Sequence, residues 1–288
     1  MQADSQKSTT LVINVILGAV ILAGLALRTW NVRFDGGLNT HPDERSTTCF
    51  YAPTVGWPSS VDEFLDPKRS PLNPLWDRHN ERRRSFTYGH FPLYLGVLTG
   101  EVLSSLAKPA GLLPLPDRSI ELMQRASTAC EGVAVAGRLM MAFLDTLTVF
   151  LLFLLGRRLY GSFGGLLAAT LYAFTAQAVQ LSHFFAMDPA STTFVVLAVY
   201  GGVLMVQERS WRGVLLAGIG AGLAVSSKFS ALPVLAVPLT AALIAGWKGE
   251  GQREAGAEWR GTRSEDFSFL AALLAAAAVF LVSSTEAV

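Results

Sequence analysis

Seven apolar runs, each close to the length that spans a bilayer, constrain this chain more than any other feature. They are Leu11–Leu27, Gly137–Leu155, Gly164–Leu181, Ala190–Val206, Val214–Ser226, Ala231–Trp247 and Phe267–Val282. A run of about 17–25 apolar residues matches the hydrocarbon thickness, and only as a helix does it satisfy its own backbone there. The expected fold is therefore all-α, a polytopic membrane helix bundle of about seven transmembrane helices. The fifth run is short and Gly-rich, and so the weakest of the seven. Composition agrees, since 51% of the 288 residues are hydrophobic and 16% charged, where soluble domains carry about 25% charged residues. The net charge of +1 gives no reason to expect nucleic acid as a partner. Lys7 and the small residues Gly24 and Ala26 give the first run some likeness to a signal peptide. Its length and the six runs after it favour an uncleaved helix.

Basic residues on short loops orient such a bundle. Arg157 and Arg158, Arg209 and Arg212, and Lys248 follow the second, fourth and sixth runs. Placing all three loops in the cytoplasm puts the N-terminus inside. It also puts residues 30–136 and the turn 182–189 on the extracytoplasmic side. The outer segment 30–136 contains an apolar stretch at about 88–106, here expected to lie in the interface, because an eighth span would invert every later loop. Its prolines, among them Pro71, Pro74, Pro109, Pro114 and Pro116, predict short pieces rather than a globular domain. Residues 248–266, Gly-rich and charge-balanced, read as a flexible cytoplasmic loop. Cys49 and Cys130 both fall outside the expected membrane core. A disulfide would suit an oxidising side, although two lone cysteines are more often free thiols.

Three clusters of chemistry-bearing residues share that outer side. The first is His41-Pro42-Asp43-Glu44-Arg45, the second Tyr88-Gly89-His90-Phe91-Pro92, and the third Ser182-His183 through Asp188-Pro189. Adjacent carboxylates beside lipid are costly to desolvate, so they tend to have a partner, a metal or a reaction. The bland alternatives are that Asp43 and Glu44 cap a surface helix and that Asp188 is a helix N-cap. Lys228 either snorkels to the surface or presents a point charge to a phosphate. Arg45 and Arg138 suit phosphate oxygens by their planar forks. Together these groups fit a reaction on a phosphate-bearing lipid, in which a carboxylate takes a proton and cations stabilise a departing phosphate. Asp145, inside the second run, is expected to play a structural hydrogen-bonding role with Arg138 or Thr148.

The runs Gly137-Arg138-Leu139, Asp145-Thr146-Leu147-Thr148-Val149 and Leu155-Gly156-Arg157-Arg158-Leu159-Tyr160-Gly161 carry a resemblance. With Gly165–Ala169, His183 to Asp188, Ser227–Ala231 and His41–Glu44, the chain resembles the GT-C superfamily of integral-membrane glycosyltransferases. It is similar more narrowly to the dolichyl-phosphate-mannose protein mannosyltransferases and the aminoarabinose transferases. The resemblance implies a single GT-C-like transmembrane module over 1–288, a multi-pass protein of the cell membrane with its active site on the extracytoplasmic side. It implies a polyprenyl-phosphate-linked sugar donor, transfer with inversion, and a lipid, glycan or protein acceptor. Asp43 matches the family's first-loop catalytic acid, Asp188 its second-loop acid, and Lys228 a lysine near the donor phosphate. The expected catalytic set is thus Asp43, Glu44 and Asp188, with Arg45, His90, His183, Lys228 and Arg138 binding substrate. No cofactor is implied with certainty. A divalent metal is left open, because Gly89-His90-Phe91-Pro92 stands where aminoarabinose transferases carry Glu-Lys-Pro. Family members usually continue through more spans than this sequence shows, so the chain is expected to hold the shared helical module of a longer enzyme. The competing readings are a transporter or flippase of a lipid-linked substrate and an inactive membrane scaffold.

Overall fold

The computed structural model describes residues 2–107, 125, 126 and 129–254. Its helices are α1 (Gln2–Thr29), α2 (Pro42–Arg45), α3 (Val61–Leu65), α4 (Phe91–Ala107), α5 (Cys130–Ala173), α6 (Ala176–Ser182), α7 (Met187–Glu208), α8 (Trp211–Ser227) and α9 (Ala236–Glu254). A π-helical turn (Ser46–Tyr51) continues α2, and a 3-10 stretch (Phe229–Leu235) joins α8 to α9. Two two-residue strands, β1 (Trp76–Asp77) and β2 (Arg82–Arg83), pair antiparallel and are the only strands among the described residues.

Gly161 reverses α5. Its φ of 76° lies where only glycine sits without a Cβ penalty. The arms 130–160 and 162–173 fold back on each other so closely that a Cβ on Gly156 would stand 2.8 Å from the Gly165 backbone. The second and third expected spans are these arms, although the second arm stops at Ala173 and α6 continues the apolar run. The first arm and α7 run side by side in the same direction. Thr148 meets Thr193 at 2.8 Å, and some ten residues further on Arg158 pairs with Glu208. The α7–α8 hairpin is the tightest packing in the bundle, because Gly201, Gly213 and Gly220 bring the two backbones together. Small residues allow such approach where hydrophobic burial drives little. α8 spans only 17 residues, as expected for the weakest run.

Among the described residues, four helices are long and apolar enough to cross a membrane: Thr9–Thr29, Cys130–Ala173, Met187–Glu208 and Phe229–Trp247. With the α5 reversal and the shorter α8, the first six predicted runs are accounted for, and Phe267–Val282 lies outside the described residues. The loop predicted from 248 begins later, since α9 continues to Glu254 in spite of Gly249 and Gly251. The remainder of that predicted loop also lies outside the described residues.

α5 begins at Cys130, seven residues before the predicted run. At 1.5 Å per residue, its first fifteen residues rise about 22 Å above Asp145, which is level with the ends of α1 and the second arm. Asp145 receives Arg28 Nε at 2.6 Å and the Tyr172 hydroxyl at 2.6 Å, while Arg28 also donates to Ala173 O. The expected structural role is met, but the partner is Arg28 rather than Arg138. Segment 30–90 wraps the upper part of α5, and α4 packs beside it. Tyr94 donates to Leu72 O and Trp57 Nε1 to Glu101, so α4 runs along the loop layer. Leu98, Val102 and Leu106 make an exposed apolar stripe on its other side.

Candidate active site

Pro42 opens α2 with its fixed φ, and Asp43 and Glu44 follow in the first turn, where the helix dipole favours negative charge. The two carboxylates then part company. Glu44 points inward and is fully buried. It takes Arg138 Nε at 2.7 Å on one oxygen and Arg138 NH2 at 2.6 Å on the other, and the Phe185 backbone N–H donates to it at 2.8 Å. Arg138 also grips Asp35, at 2.7 and 3.1 Å, and donates to Val32 O at 2.8 Å. This clamp ties the first cluster to α5 and to the 182–189 turn. The Arg138 guanidinium holds the Asp35 carboxyl well below the ordinary range, at about 2.

Asp43, half-buried, stays at the mouth. The Tyr88 hydroxyl bonds to it, and burial together with that carboxylate pushes the phenol up to about 12, with Asp188 adding to the push. Tyr88 is held by its neighbour, since Gly89 N–H donates to Ser227 O at 3.2 Å. A Cβ on Gly89 would stand 1.8 Å from Ser226 O, so glycine alone permits this approach. One residue beyond, Lys228 leaves α8 and places Nζ 2.6 Å from Asp188. α7 begins at Met187, two residues earlier than predicted, so Asp188 lies inside the first turn and Ala186 is the N-cap. Asp43, Tyr88, Asp188 and Lys228, from four separate elements, thus share one patch.

The other expected substrate contacts are placed differently. Arg138 has each of its nitrogens engaged by protein groups and is 2% exposed. Glu44 is likewise sealed from the mouth. His90 is 3% exposed among Phe86 and Tyr94, and burial pushes its imidazole down to about 4. His183 sets its ring between two backbone carbonyls, Val179 O at 2.7 Å from Nδ1 and Trp30 O at 3.1 Å from Nε2, the tautomer deciding which of them receives the N–H of a neutral ring, and so helps to hold the turn. The Arg45 side chain is exposed and makes no hydrogen bond or ion pair among the described residues, while its backbone N–H donates to His41 O at 2.9 Å. Tyr88, Gly89 and Asp35 were missed as site residues. The Tyr-Gly pair before an apolar helix was the available signal for the first two, and Asp35 offered none. His41 stacks on Phe184 at 4.6 Å, with its Nδ1 buried and unpartnered.

Cys49 and Cys130 form a disulfide with Cα atoms 4.6 Å apart, against the commoner expectation of free thiols. It fastens the π-helical turn after α2 to the first residue of α5. Among the described residues no group of three or more metal-ligating side chains comes together.

The family model of the dolichyl-phosphate-mannose-protein mannosyltransferases matches residues 120–253. That segment carries both α5 arms, Asp188 and Lys228. No curated protein and no solved structure matches the chain. The match supports a membrane glycosyltransferase of the GT-C type, in agreement with the apolar helices.

Proposed function

We propose that the chain transfers a sugar from a polyprenyl-phosphate donor to an acceptor hydroxyl or amine at the extracytoplasmic membrane face. The observation that carries this reading is the patch itself. A carboxylate (Asp43) with a phenol on it lies beside a second carboxylate paired to a cation, at one end of the helices rather than within them. A transport site is expected near the midplane in broken helices, which this arrangement does not resemble. The Cys49–Cys130 disulfide supports an oxidising compartment for the same end.

In this reading the acceptor oxygen or nitrogen attacks the anomeric carbon as the bond to the phosphate oxygen breaks. Asp43 takes the acceptor proton, and the phosphate leaves with the bonding pair. Lys228 meets the charge growing on that phosphate. Its pairing with Asp188 is suited to exchange, because both side chains are more than one-third exposed and such pairs are worth about 0–1 kcal/mol. A donor phosphate can therefore draw Lys228 away at little cost. Asp188, released, orients the acceptor. Glu44 and Arg138 hold α2 in place without touching substrate.

The test is transfer of radiolabelled sugar from polyprenyl phosphate in proteoliposomes. Asp43→Asn keeps size and hydrogen bonding but removes proton acceptance, so turnover falls by about 10²–10⁴-fold while donor binding persists. Near-normal turnover in that variant would refute the assignment.

A further inference from the structure

A second site lies in the loop layer, outside the carboxylate patch. A cavity of about 640 Å³ opens between α3, the turn after it and the β1–β2 hairpin, lined by Glu63, Lys68, Arg69, Trp76, Arg78 and Glu81. The Lys68 ammonium stands over the Trp76 ring, 5.4 Å from its centroid, so that face of the indole opens to polar surroundings rather than being packed against the core. A cation–π contact at an exposed position is worth only about 0.5–1 kcal/mol, and the flexible lysine can yield the ring to a ligand.

The charges around the ring are sorted. Glu63 is occupied by the Ser59 backbone and hydroxyl, and Arg69 by Asp66. Arg78 spends one nitrogen on Thr54 O. Lys68, the rest of the Arg78 fork and the exposed Glu81 remain to meet a ligand. The wall is also fixed in place. Asn73, buried, donates to Pro67 O at 2.6 Å and accepts from Leu75 N at 2.8 Å, and Gly56 N–H donates to Pro71 O. The connection 66–75 is therefore held in one shape although it has no regular structure.

We infer that this cavity binds an acidic oligosaccharide, one whose sugar rings alternate with or carry carboxylate or phosphate groups. The carbon–hydrogen face of a pyranose packs on an indole, which offers a large rigid apolar surface. Lys68 and Arg78 meet the anionic substituent, Arg by its planar fork, and Glu81 accepts from sugar hydroxyls. With Arg69 paired to Asp66 and Glu63 held by Ser59, the groups left to meet a ligand are two cations, Lys68 and Arg78, against one carboxylate, Glu81, which favours an acidic saccharide over a neutral one. Glu81 lies seven residues before Tyr88, so the two stand at most about 25 Å apart, a separation that a saccharide of several rings can span. That it is the acceptor rests on the glycosyltransferase reading, whereas its binding does not.

The test measures binding alone. The full chain in phosphatidylcholine nanodiscs is applied to an array of neutral, uronate-bearing and phosphorylated oligosaccharides. Titrations follow with Trp76→Ala and, as a surface variant that leaves the fold intact, Lys68→Gln. The expected result is retention of acidic oligosaccharides, weakened at least about tenfold in Trp76→Ala, a change of about 1.4 kcal/mol, and several-fold in Lys68→Gln. Retention of no oligosaccharide, equal retention of neutral ones, or retention that both variants leave unchanged would overturn the inference. So would loss of binding when phosphatidylglycerol is added to the nanodisc, because the cavity would then be a lipid-headgroup site. Failure of sugar transfer with intact oligosaccharide binding would count against the proposed reaction and not against this site.

Discussion

Substituting Glu44 by Gln separates a positioning carboxylate from a catalytic one. Glu44 is 0% exposed, and its partner Arg138 and that arginine's second carboxylate, Asp35, expose 2% and 3% of their side chains. The change leaves an acceptor for Arg138 Nε and the Phe185 N–H, but it turns an NH2 group toward Arg138 NH2 and removes one of two charges balancing the guanidinium. Removing one partner of a buried pair costs about 3–5 kcal/mol, and for a chain of this size each kcal/mol moves the midpoint by about 2–4 °C, so a fall of about 6–20 °C is expected. Tryptophan fluorescence during a thermal scan of the purified protein in detergent reads this shift. Turnover of the fraction still folded, measured well below the midpoint, should change far less than in Asp43→Asn. An unshifted midpoint together with a loss of turnover as large as that of Asp43→Asn would refute the clamp and make Glu44 a participant in the reaction.

Lys228→Ala should weaken donor use by a partial amount, since a charge-assisted contact contributes about 1.5–3 kcal/mol; unchanged dependence on donor concentration would return Lys228 to a snorkelling role. Gly89→Ala should disorder the patch, because its Cβ would meet Ser226 O at 1.8 Å and overpacking costs about 1–3 kcal/mol; a variant with wild-type melting and turnover would show that the approach is looser. His90 is neutral in the fold, its pKa lowered from 6.5 to about 4, so the unfolded chain binds the extra proton first. Its contribution is complete above about pH 6.5 and is lost as the pH falls toward 4, and His90→Phe should flatten that part of a melting-temperature profile. The disulfide should leave both cysteines unreactive to maleimide until a reductant is added, and Cys49→Ser should cost about 2–4 kcal/mol; labelling without reductant would remove the cross-link.

How much could be read in advance followed the range of the forces involved. Hydrophobic length is local, so the helical class, the order of the runs and the weakness of Val214–Ser226 were legible in the sequence, as was the gathering of acids and cations on three segments. Helix ends were less so, because α5 extends to Cys130 and α9 to Glu254, beyond the apolar runs that an apolar count records. The division of labour between Asp43 and Glu44 was not legible at all. One residue of helical rotation turns one acid into the clamp and the other into the mouth, and Arg138, 94 positions away, decides which. The same holds for Asp145, whose counter-charge came from Arg28 at the end of α1, with the Tyr172 hydroxyl added by the returning arm of α5. Sequence fixes which charges exist and on which stretch. Which of them are neutralised in the interior, and which are left facing a ligand, follows from contacts between distant segments, because desolvating an ion is tolerated only where the fold supplies its counter-charge.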